Sequence, residues 1–460
     1  LACTAPALAV IPGLMGPLQA LVAILPQLFA VFFGLFASLM SLAYWREKFR
    51  QHWRVLAFGT LVCLVVLWQT SDRRKPILAT VTPAPVATVA QNWASFRGQL
   101  SGAGAGVLGQ SKLSEKPEVR WSHVHPETGD YLASPVTVNG RVYVAYALYD
   151  ALRSVGVIEC LDAQSGKLLW SSPTRHPVFC SPIVVDGRVY CGEGLHENED
   201  CNMFCLDAVS GKTLWTFQAR GHLEGTPALL GDRLLFSAGG DGFYCLQAST
   251  GKVLWHNSCG HCDSSPALDQ EKVFLGTAYG DNAALCLDLK SGKTLWKKAQ
   301  ELPVWGHPAV LDGRVYFGIG NGTFGGSDAN PKGAVICLDA HNGRQVWRQS
   351  LPDSVNTSIC LDGDDLLLGC RDGNLYCLSR PEGKVGWKAY CGSPLLASLV
   401  VQGDTVLAAG GDGFVHAVDR SNGKERWSVL VSDVPCESSP VLVDGHLYLG
   451  CGTNLLCLGP

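Results

Sequence analysis

A CGHC run at residues 259–262 is the part of this sequence whose residue types and spacing most directly suggest chemistry. Two cysteines separated by two residues form the dithiol of redox proteins, where the first thiol is acidified at the start of a helix. The surrounding residues predict a loop between two strands, so we do not expect this acidification. Asp263 stands where covalent haem attachment would need a histidine. The simplest interpretation is a local disulfide or a pair of loop thiols.

Redox or metal chemistry is the alternative interpretation of this loop, with Cys259, His261 and Cys262 as the candidate residues. A metal ion would need further ligands from neighbouring repeats, and the sequence offers His222 or His307. An insertion, CGEGLHENEDCNMFC, places His196 among acidic residues, which is a composition that can hold a divalent cation. Its spacing matches no known cation-binding loop, so a solvated hairpin tip is the simpler interpretation.

Polar residues also recur just ahead of a repeated short strand. If these strands surround a common channel, the residues before them converge at one mouth, and convergent polar groups in a concave mouth indicate a binding site. The six candidates for this mouth are Cys180, Glu224, Asp263, His307, Asn356 and Glu437. A water-filled rim without a ligand is the alternative. No catalytic residue is predicted.

Tryptophans at intervals of about 40–45 residues reveal the elements that must position these groups. Each closes a phrase such as CLDAQSGKLLW and is followed by a second phrase such as SPIVVDGRVY, whose alternating pattern predicts half-buried strands. Asn-Gly and Asp-Gly pairs between the strands predict tight hairpins. We expect each tryptophan to anchor one blade of a propeller; with Trp121 they are Trp121, Trp170, Trp215, Trp255, Trp296, Trp347, Trp387 and Trp427.

Eight copies of the second phrase predict an all-β, eight-bladed propeller of four-stranded blades over residues 117–460. The last copy ends before a tryptophan, so we expect the N-terminal strand around Trp121 to complete the eighth blade and close the ring. Most cysteines fall at one repeat position and are interpreted as buried packing residues. They are Cys160, Cys205, Cys245, Cys286, Cys337, Cys377 and Cys457.

The paired phrases resemble the repeat of the pyrroloquinoline-quinone-like (PQQ-like) propeller family, and NWASFRGQLSGAGAG resembles the leader that precedes such propellers. The family includes quinone-dependent dehydrogenases and cofactor-free scaffolds such as BamB-like assembly proteins. For a dehydrogenase, the resemblance implies a calcium ion held by a carboxylate and an amide, an Asp base, a Trp floor and often a Cys-Cys pair. The sequence has no Cys-Cys pair, and Trp305, which offers a floor, has no carboxylate beside it in sequence.

The first 75 residues have a different composition and predict one or two transmembrane helices. The candidate spans are 18–43 and 53–70, each long enough or nearly long enough to cross a bilayer. Residues 76–116 form a Pro/Ala/Thr-rich linker and the leader. This arrangement predicts membrane attachment through the N-terminal segment, with the propeller in the periplasm or elsewhere outside the cytoplasm.

Charge excludes one class of partner. Charged residues make up 17% of the chain, the formal net charge is −4, and no basic stripe is present, so nucleic-acid binding is not expected. We therefore expect a non-catalytic, membrane-tethered scaffold that binds or assembles envelope proteins and needs no cofactor. A quinone-dependent dehydrogenase with PQQ and calcium is the first alternative, and the ligand-sensing ectodomain of a longer receptor is the second.

Overall fold

The computed structural model describes residues 107–108, 113–149, 154–323 and 326–460. The chain divides into two compact units, Leu1–Thr82 and Pro83–Pro460, and every described residue belongs to the second. The predicted spans 18–43 and 53–70, and the linker from residue 76 to 106, lie outside the described residues. Among the residues that are described, no helix has the length and apolar character needed to cross a membrane.

All regular structure in these residues is β-strand. In chain order the strands are β1 (Val107–Leu108), β2 (Glu118–Val124), β3 (Gly129–Asp130), β4 (Val136–Val138), β5 (Arg141–Tyr149), β6 (Ser154–Asp162), β7 (Leu168–Thr174), β8 (Ile183–Val185), β9 (Arg188–Gly192), β10 (Asn202–Asp207), β11 (Thr213–Gln218), β12 (Ala228–Leu230), β13 (Arg233–Ser237), β14 (Phe243–Gln247), β15 (Val253–Asn257), β16 (Ala267–Asp269), β17 (Lys272–Thr277), β18 (Ala283–Asp288), β19 (Thr294–Ala299), β20 (Ala309–Leu311), β21 (Arg314–Gly320), β22 (Gly333–Asp339), β23 (Gln345–Leu351), β24 (Cys360–Asp362), β25 (Asp365–Gly369), β26 (Asn374–Ser379), β27 (Val385–Tyr390), β28 (Val400–Gln402), β29 (Thr405–Ala409), β30 (Phe414–Asp419), β31 (Glu425–Leu430), β32 (Val441–Val443), β33 (His446–Cys451) and β34 (Asn454–Gly459).

These strands form eight sheets, each built on four antiparallel strands and two of them with a fifth short strand, which confirms the predicted eight-bladed propeller of four-stranded blades. Blade one is β4–β7 with β3 added beside β5, and blades two to seven are β8–β11, β12–β15, β16–β19, β20–β23, β24–β27 and β28–β31. Blade eight consists of β32–β34 and β2, which pairs antiparallel with β34 and places Trp121 opposite Cys457. The short β1 runs parallel to β28.

The predicted hairpin turns are also confirmed. Both turn residues have positive φ in Asn139-Gly140, Asp186-Gly187, Asp312-Gly313 and Asp444-Gly445. Two successive residues in this region define the turn whose twist matches that of paired strands. In these four blades the short first strand is therefore held tightly against the second.

First strands of neighbouring blades contact one another and so surround the centre of the ring. Hydrogen bonds link them two residues before each strand begins, where a backbone N–H donates to the side chain at the equivalent position of the next blade, over 2.8–3.0 Å. The links run from Ser134 to Ser181, Thr226 to Ser265, Ser265 to His307, Ser358 to Ser398, Ser398 to Ser439 and Ser439 to Ser134. This inner ring fixes where the loops ahead of the first strands lie.

Each seam between blades is filled by one hydrophobic cluster and crossed by a tryptophan. Indole Nε1 groups donate over 2.9–3.2 Å to a backbone oxygen of the next blade, from Trp121 to Ala163, Trp170 to Ala208, Trp215 to Ala248, Trp255 to Leu289, Trp296 to Ala340, Trp347 to Arg380 and Trp387 to Arg420. Trp427 packs against the cluster between blades seven and eight. The seven repeat cysteines are buried as free thiols in these clusters, which confirms their predicted packing role.

Candidate functional site

Loops from blades two, three and four bring imidazole and carboxylate groups together at one end of the propeller. His196 comes from the β9–β10 loop, His222 and Glu224 from the β11–β12 loop, and Asp263 from the β15–β16 loop. One possible ligand atom from each of these four side chains lies within 4.8 Å of all the others. We call these four residues the His-acid cluster.

Two short contacts organise the His-acid cluster into pairs. His222 Nε2 lies 2.9 Å from Asp263 Oδ1, and His196 Nδ1 lies 2.6 Å from Glu224 Oε1. The pairs are interleaved, because His222 Nε2 is also 3.9 Å from Glu224 Oε1 and His196 Nε2 is 3.8 Å from Asp263 Oδ2. The two imidazole rings are stacked, with centroids 5.0 Å apart. Each histidine therefore faces both carboxylates.

A glycine provides the space for the buried histidine. Gly239 has φ +50°, and a Cβ built there would stand 2.6 Å from His222 Cε1 and 2.7 Å from Nε2. Real Cβ contacts are never this short, so any other residue at 239 would displace the ring. His222 is only 3% exposed, whereas His196 and Glu224 lie at the open side of the cluster. The cluster thus has a rigid base and a solvent-facing edge.

The CGHC loop adds a third imidazole. Reciprocal backbone hydrogen bonds of 3.0–3.1 Å join Cys262 to Gly239, and Ala278 N–H donates to the oxygen of His261 over 3.0 Å. These bonds place His261 Nε2 3.1 Å from Asp263 Oδ2. The loop is therefore part of the site through its histidine.

The two thiols of this loop are free, and their sulfur atoms are 3.1 Å apart. A hydrogen bond from Cys262 lowers the pKa of Cys259, with a smaller contribution from Lys297, whose amine is 3.2 Å from the Cys259 oxygen. The Cys262 pKa is raised by the same pairing and by burial. In this loop, the neighbouring thiol and the lysine lower the thiol pKa, which is the effect that a helix N-terminus has in other CxxC motifs.

A different pair of cysteines, Cys436 and Cys451, forms a disulfide.

Electrostatics favour the ionised forms of Asp263 and His196. Burial tends to raise the pKa of Asp263, but the hydrogen bond with His222 and the positive charges of His222 and His261 outweigh burial and lower this pKa well below its ordinary value. Burial tends to lower the pKa of His196, but the hydrogen bond to Glu224 and the nearby acids outweigh it and raise this pKa. Asp263 Oδ2 is buried and makes no hydrogen bond among the described residues, although two imidazoles surround it.

An exposed tyrosine covers the cluster. Tyr279, from the β17–β18 loop, is 52% exposed and meets His261 and His196 edge-on, at centroid distances of 4.5 and 5.1 Å. Trp305 backs it at 5.0 Å. Burial raises the pKa of Tyr279, and the negative charges of Asp263 and Glu224 raise it further.

Two more polar residues hold the corresponding positions in blades six and eight. Asn356 and Glu437, like Glu224 and Asp263, each precede the first residue of the blade's inner strand by four positions. Buried Arg371 interacts electrostatically with Glu437. Burial and the charge of Asp130 raise the Glu437 pKa to about 7, against the opposing effect of Arg371. Asn356 Oδ1 and Glu437 Oε2 are buried and form no hydrogen bond in the described part of the chain.

The six residues predicted for the channel mouth have different surroundings in the structure. Glu224, Asp263, Asn356 and Glu437 hold equivalent repeat positions, and the first two belong to the His-acid cluster. Cys180 is buried in the hydrophobic cluster between blades one and two, and His307 belongs to the inner ring, where its Nδ1 accepts from Ser265. Sequence reasoning interpreted the loop of His196 as a solvated tip and did not consider Tyr279. The insertion around His196 was the available signal, because it breaks the repeat.

Eight sheets, with a tryptophan at each seam and the two repeated phrases, place this chain in the class of PQQ-like propellers. The family can be stated more closely. The PQQ_2 family model, described as outer membrane protein assembly factor BamB, matches residues 111–221, 199–330 and 331–460, so the chain belongs to this family.

The names of proteins with similar sequences describe different activities. Tetrathionate hydrolase of Acidithiobacillus ferrooxidans is 26% identical over 240 residues, which cover 49% of this chain and 38% of that protein. Polyvinylalcohol dehydrogenase of Sphingopyxis sp. is 30% identical over 146 residues, which cover 28% of this chain and 22% of that protein. The chain therefore spans well under half the length of these relatives.

Solved structures share the fold at low identity. BamB from Moraxella catarrhalis aligns with a TM-score of 0.58 at 16% identity and covers 75% of this chain and 98% of its own. A europium-containing methanol dehydrogenase aligns with a TM-score of 0.61 at 13% identity and covers 78% of this chain and 89% of its own. Identities this low show the fold alone.

The donor set of the His-acid cluster does not suit the calcium ion that the dehydrogenase resemblance implies. Calcium takes six to eight oxygen ligands. Here His196 and His222 face the two carboxylates, with His261 beside Asp263, so nitrogen contributes much of the donor set. A mixture of imidazole and carboxylate suits a first-row transition ion better.

Proposed function

We propose that this propeller is a non-catalytic scaffold that binds another protein of the cell envelope, and that the partner docks on the blade two to four end. The observation that carries this proposal is Tyr279, a large aromatic side chain that is half exposed on a rigid base. Binding energy at protein interfaces concentrates in tyrosine, tryptophan and arginine residues that are already held in place.

The surroundings of Tyr279 support docking of a preorganised kind. Trp305 and His261 contact the ring from two sides, so the side chain loses little freedom when a partner covers it. Exposed acids of the blade-two loop, Glu197, Glu199 and Asp200, flank the same end. A partner segment that carries lysine or arginine beside an apolar side chain complements this surface, because the charges steer its approach.

The proposal includes the location of the protein. Residues 18–43 and 53–70 are the apolar runs that would hold it in a membrane, and the linker from 76 would keep the propeller clear of the lipid surface. We place the propeller outside the cytoplasm, where envelope proteins are assembled. Membership of a family described by an outer-membrane assembly factor supports this placement.

Site-specific photocrosslinking in the native host tests the docking surface. A photoreactive amino acid at position 279 of the full chain should crosslink to a discrete envelope protein, and charge reversal at Glu197 and Glu199 should weaken that crosslink several-fold. Tyr390, which is 68% exposed on β27 of blade six, is the matched control and should give no such product. Equal crosslinking at both tyrosines, or none at 279, would refute the docking site.

A quinone-dependent dehydrogenase is the second candidate, favoured by Trp305, the tryptophan that could serve as a floor, which contacts Tyr279. Its test is direct. The full chain is incubated with quinone and calcium and assayed for a bound-cofactor absorbance band and for dye reduction with alcohols or sugars. A band together with turnover of an alcohol or a sugar would replace the scaffold proposal with this one.

We also propose that β2 closes the ring. The Trp121 indole donates to the Ala163 oxygen of blade one, and its ring packs against Gly166 there. Tyr448, Leu455 and Cys457 share its hydrophobic cluster. Trp121→Ala should therefore lower the melting temperature at least as much as Trp170→Ala, which loosens the next seam in the ring.

A further inference from the structure

We propose that His196, His222, Glu224 and Asp263 bind one divalent first-row transition ion, with zinc as the best match. The cluster is more than a set of exposed acids. It combines two imidazoles and two carboxylates from three successive blades, and one carboxylate oxygen in it is buried without a hydrogen bond among the described residues. Zinc binding goes beyond the scaffold function and does not depend on it.

The distances fit a four-coordinate ion after small movements. Zinc bonds to histidine nitrogen and carboxylate oxygen are about 2.0–2.2 Å, so tetrahedral ligand atoms are roughly 3.3–3.5 Å apart. One candidate ligand atom from each of the four side chains lies within 4.8 Å of the other three, and the closest nitrogen–oxygen pairs are 2.6 and 2.9 Å apart. Binding one ion through a single atom of each side chain would separate the close pairs by less than about 1 Å and bring the more distant atoms together by roughly 1.5 Å at most.

The buried carboxylate explains why an ion would be favoured. Asp263 Oδ2 has His261 Nε2 at 3.1 Å and His196 Nε2 at 3.8 Å, yet it forms no hydrogen bond with either. A buried charged oxygen without such a bond is costly. A cation at the centre of the cluster would satisfy this oxygen and release the direct contact between Asp263 Oδ1 and His222.

The surrounding structure holds the ligands in place, as metal sites require. Gly239 leaves room for the His222 ring, and backbone bonds from Gly239 to Cys262 fix the loop that carries Asp263. His261 beside Asp263 is placed to orient that carboxylate. His196 lies at the solvent-facing edge, so an ion can enter without unfolding of the blades.

The donor set selects the class of ion. Magnesium and calcium prefer oxygen ligands and would leave two imidazoles unused. Zinc accepts both donor types in a four-coordinate site. The cysteines of the CGHC loop belong to a different pair, because their sulfur atoms contact each other.

Metal content and affinity of the full chain, purified in detergent and first stripped with a chelator, test the inference. Stripped protein exposed to zinc and then desalted should retain one ion per chain by elemental analysis. Titration calorimetry should show that His196→Ala and Glu224→Gln each weaken binding by at least about tenfold. Cobalt in place of zinc should give the visible absorption bands typical of four-coordinate nitrogen and oxygen ligands.

Two matched controls keep the result interpretable. His341→Ala removes an exposed histidine from the turn between β22 and β23 and should leave zinc affinity unchanged. Cys259→Ser with Cys262→Ser removes the thiols and should also leave it unchanged. Retention of much less than one ion, or binding that survives His196→Ala and Glu224→Gln, would overturn the inference. So would binding lost in the double cysteine variant. Melting temperatures of all variants would separate ligand loss from unfolding.

Discussion

Glu224, Asp263, Asn356 and Glu437 hold the same repeat position, four residues ahead of an inner strand, but their electrostatic surroundings differ. In blades three and four, Glu224 and Asp263 face imidazoles, and the Asp263 pKa is held below its ordinary value. In blades six and eight, Asn356 and Glu437 occupy the equivalent places, but burial and Asp130 raise the Glu437 pKa to about 7. The propeller sets where these residues lie, and the neighbouring loops decide what they do.

This difference shows where specificity is built in a repeat protein. The His-acid cluster depends on two departures from the repeat, the blade-two insertion that carries His196 and the loop that carries His261. Glu437 has the positive charge of Arg371, which follows β25, as its counter-charge, and Asn356 and Glu437 each have one oxygen without a hydrogen bond in the described residues. A site therefore arises where irregular loops supply counter-charges to a regular position.

Removing the shared carboxylate should give the largest effect. Asp263→Ala leaves His222 and His261 without their anion, so we expect the free energy of unfolding at neutral pH to fall by roughly 2–4 kcal/mol. Because the folded state lowers the pKa of Asp263, the stability that its carboxylate contributes is fully present above the ordinary pKa of an aspartate. This stability is lost as the pH falls from that value through the lowered pKa of the folded state. Urea unfolding of wild type and variant across pH measures both.

Asn356→Ala is the matched control for this substitution, because Asn356 holds the same repeat position and its Oδ1 is without a hydrogen bond in the described region. We expect a change within about 1 kcal/mol. If Asp263→Ala and Asn356→Ala lower the free energy of unfolding equally, the proposed difference between these two residues is wrong. The repeat position would then determine the loss of stability.

Protonation of Glu437 should give the next largest effect, with the opposite sign. Its folded pKa of about 7 lies above the ordinary 4.5, so the folded state binds the extra proton between these values and stability falls as the pH rises through this window. Glu437→Gln keeps the shape without the charge. The variant should be more stable than wild type at pH 8 by roughly 2 kcal/mol and nearly equal to it at pH 4.

Glu224→Gln provides the comparison on the other side of the molecule, since Glu224 is paired with His196. That variant should gain no stability at pH 8. A gain of equal size in both variants would mean that buried acids in these loops are disfavoured in general, whatever faces them.

The fold could be predicted because the same short sequence patterns recur along the chain. The tryptophan phrase and the alternating strands recur around the ring, and Asn-Gly or Asp-Gly turns recur in several blades, so each copy supports the interpretation of the others. The role of the repeat cysteines follows in the same way, from a position that the hydrophobic seams must fill. The eight sheets and the buried thiols confirm these predictions.

The site was only partly predictable, because the repeat does not specify which loops meet. Glu224 and Asp263 could be selected by position, but nothing in their local sequence indicates that His196, more than 60 residues before Asp263, approaches both. Cys180 and His307 show that repeat position alone can also select residues outside the site. Each lies within two residues of the repeat position that Glu224 holds in its own blade. Cys180 packs in a hydrophobic seam, however, and His307 accepts a hydrogen bond in the inner ring.

The smallest predicted effect tests whether the base of the His-acid cluster is specific to that side. Gly239→Ala and Gly363→Ala both place a side chain at positive φ, +50° and +60°, and each should cost about 1 kcal/mol in backbone strain. A Cβ at 363 meets nothing within 4 Å, whereas one at 239 collides with the His222 ring. Only Gly239→Ala should therefore add a further loss of about 1 kcal/mol and weaken zinc binding. Equal stability losses with unchanged zinc affinity would mean that the ring can move aside, and that His222 is held by Asp263 rather than by the space beneath it.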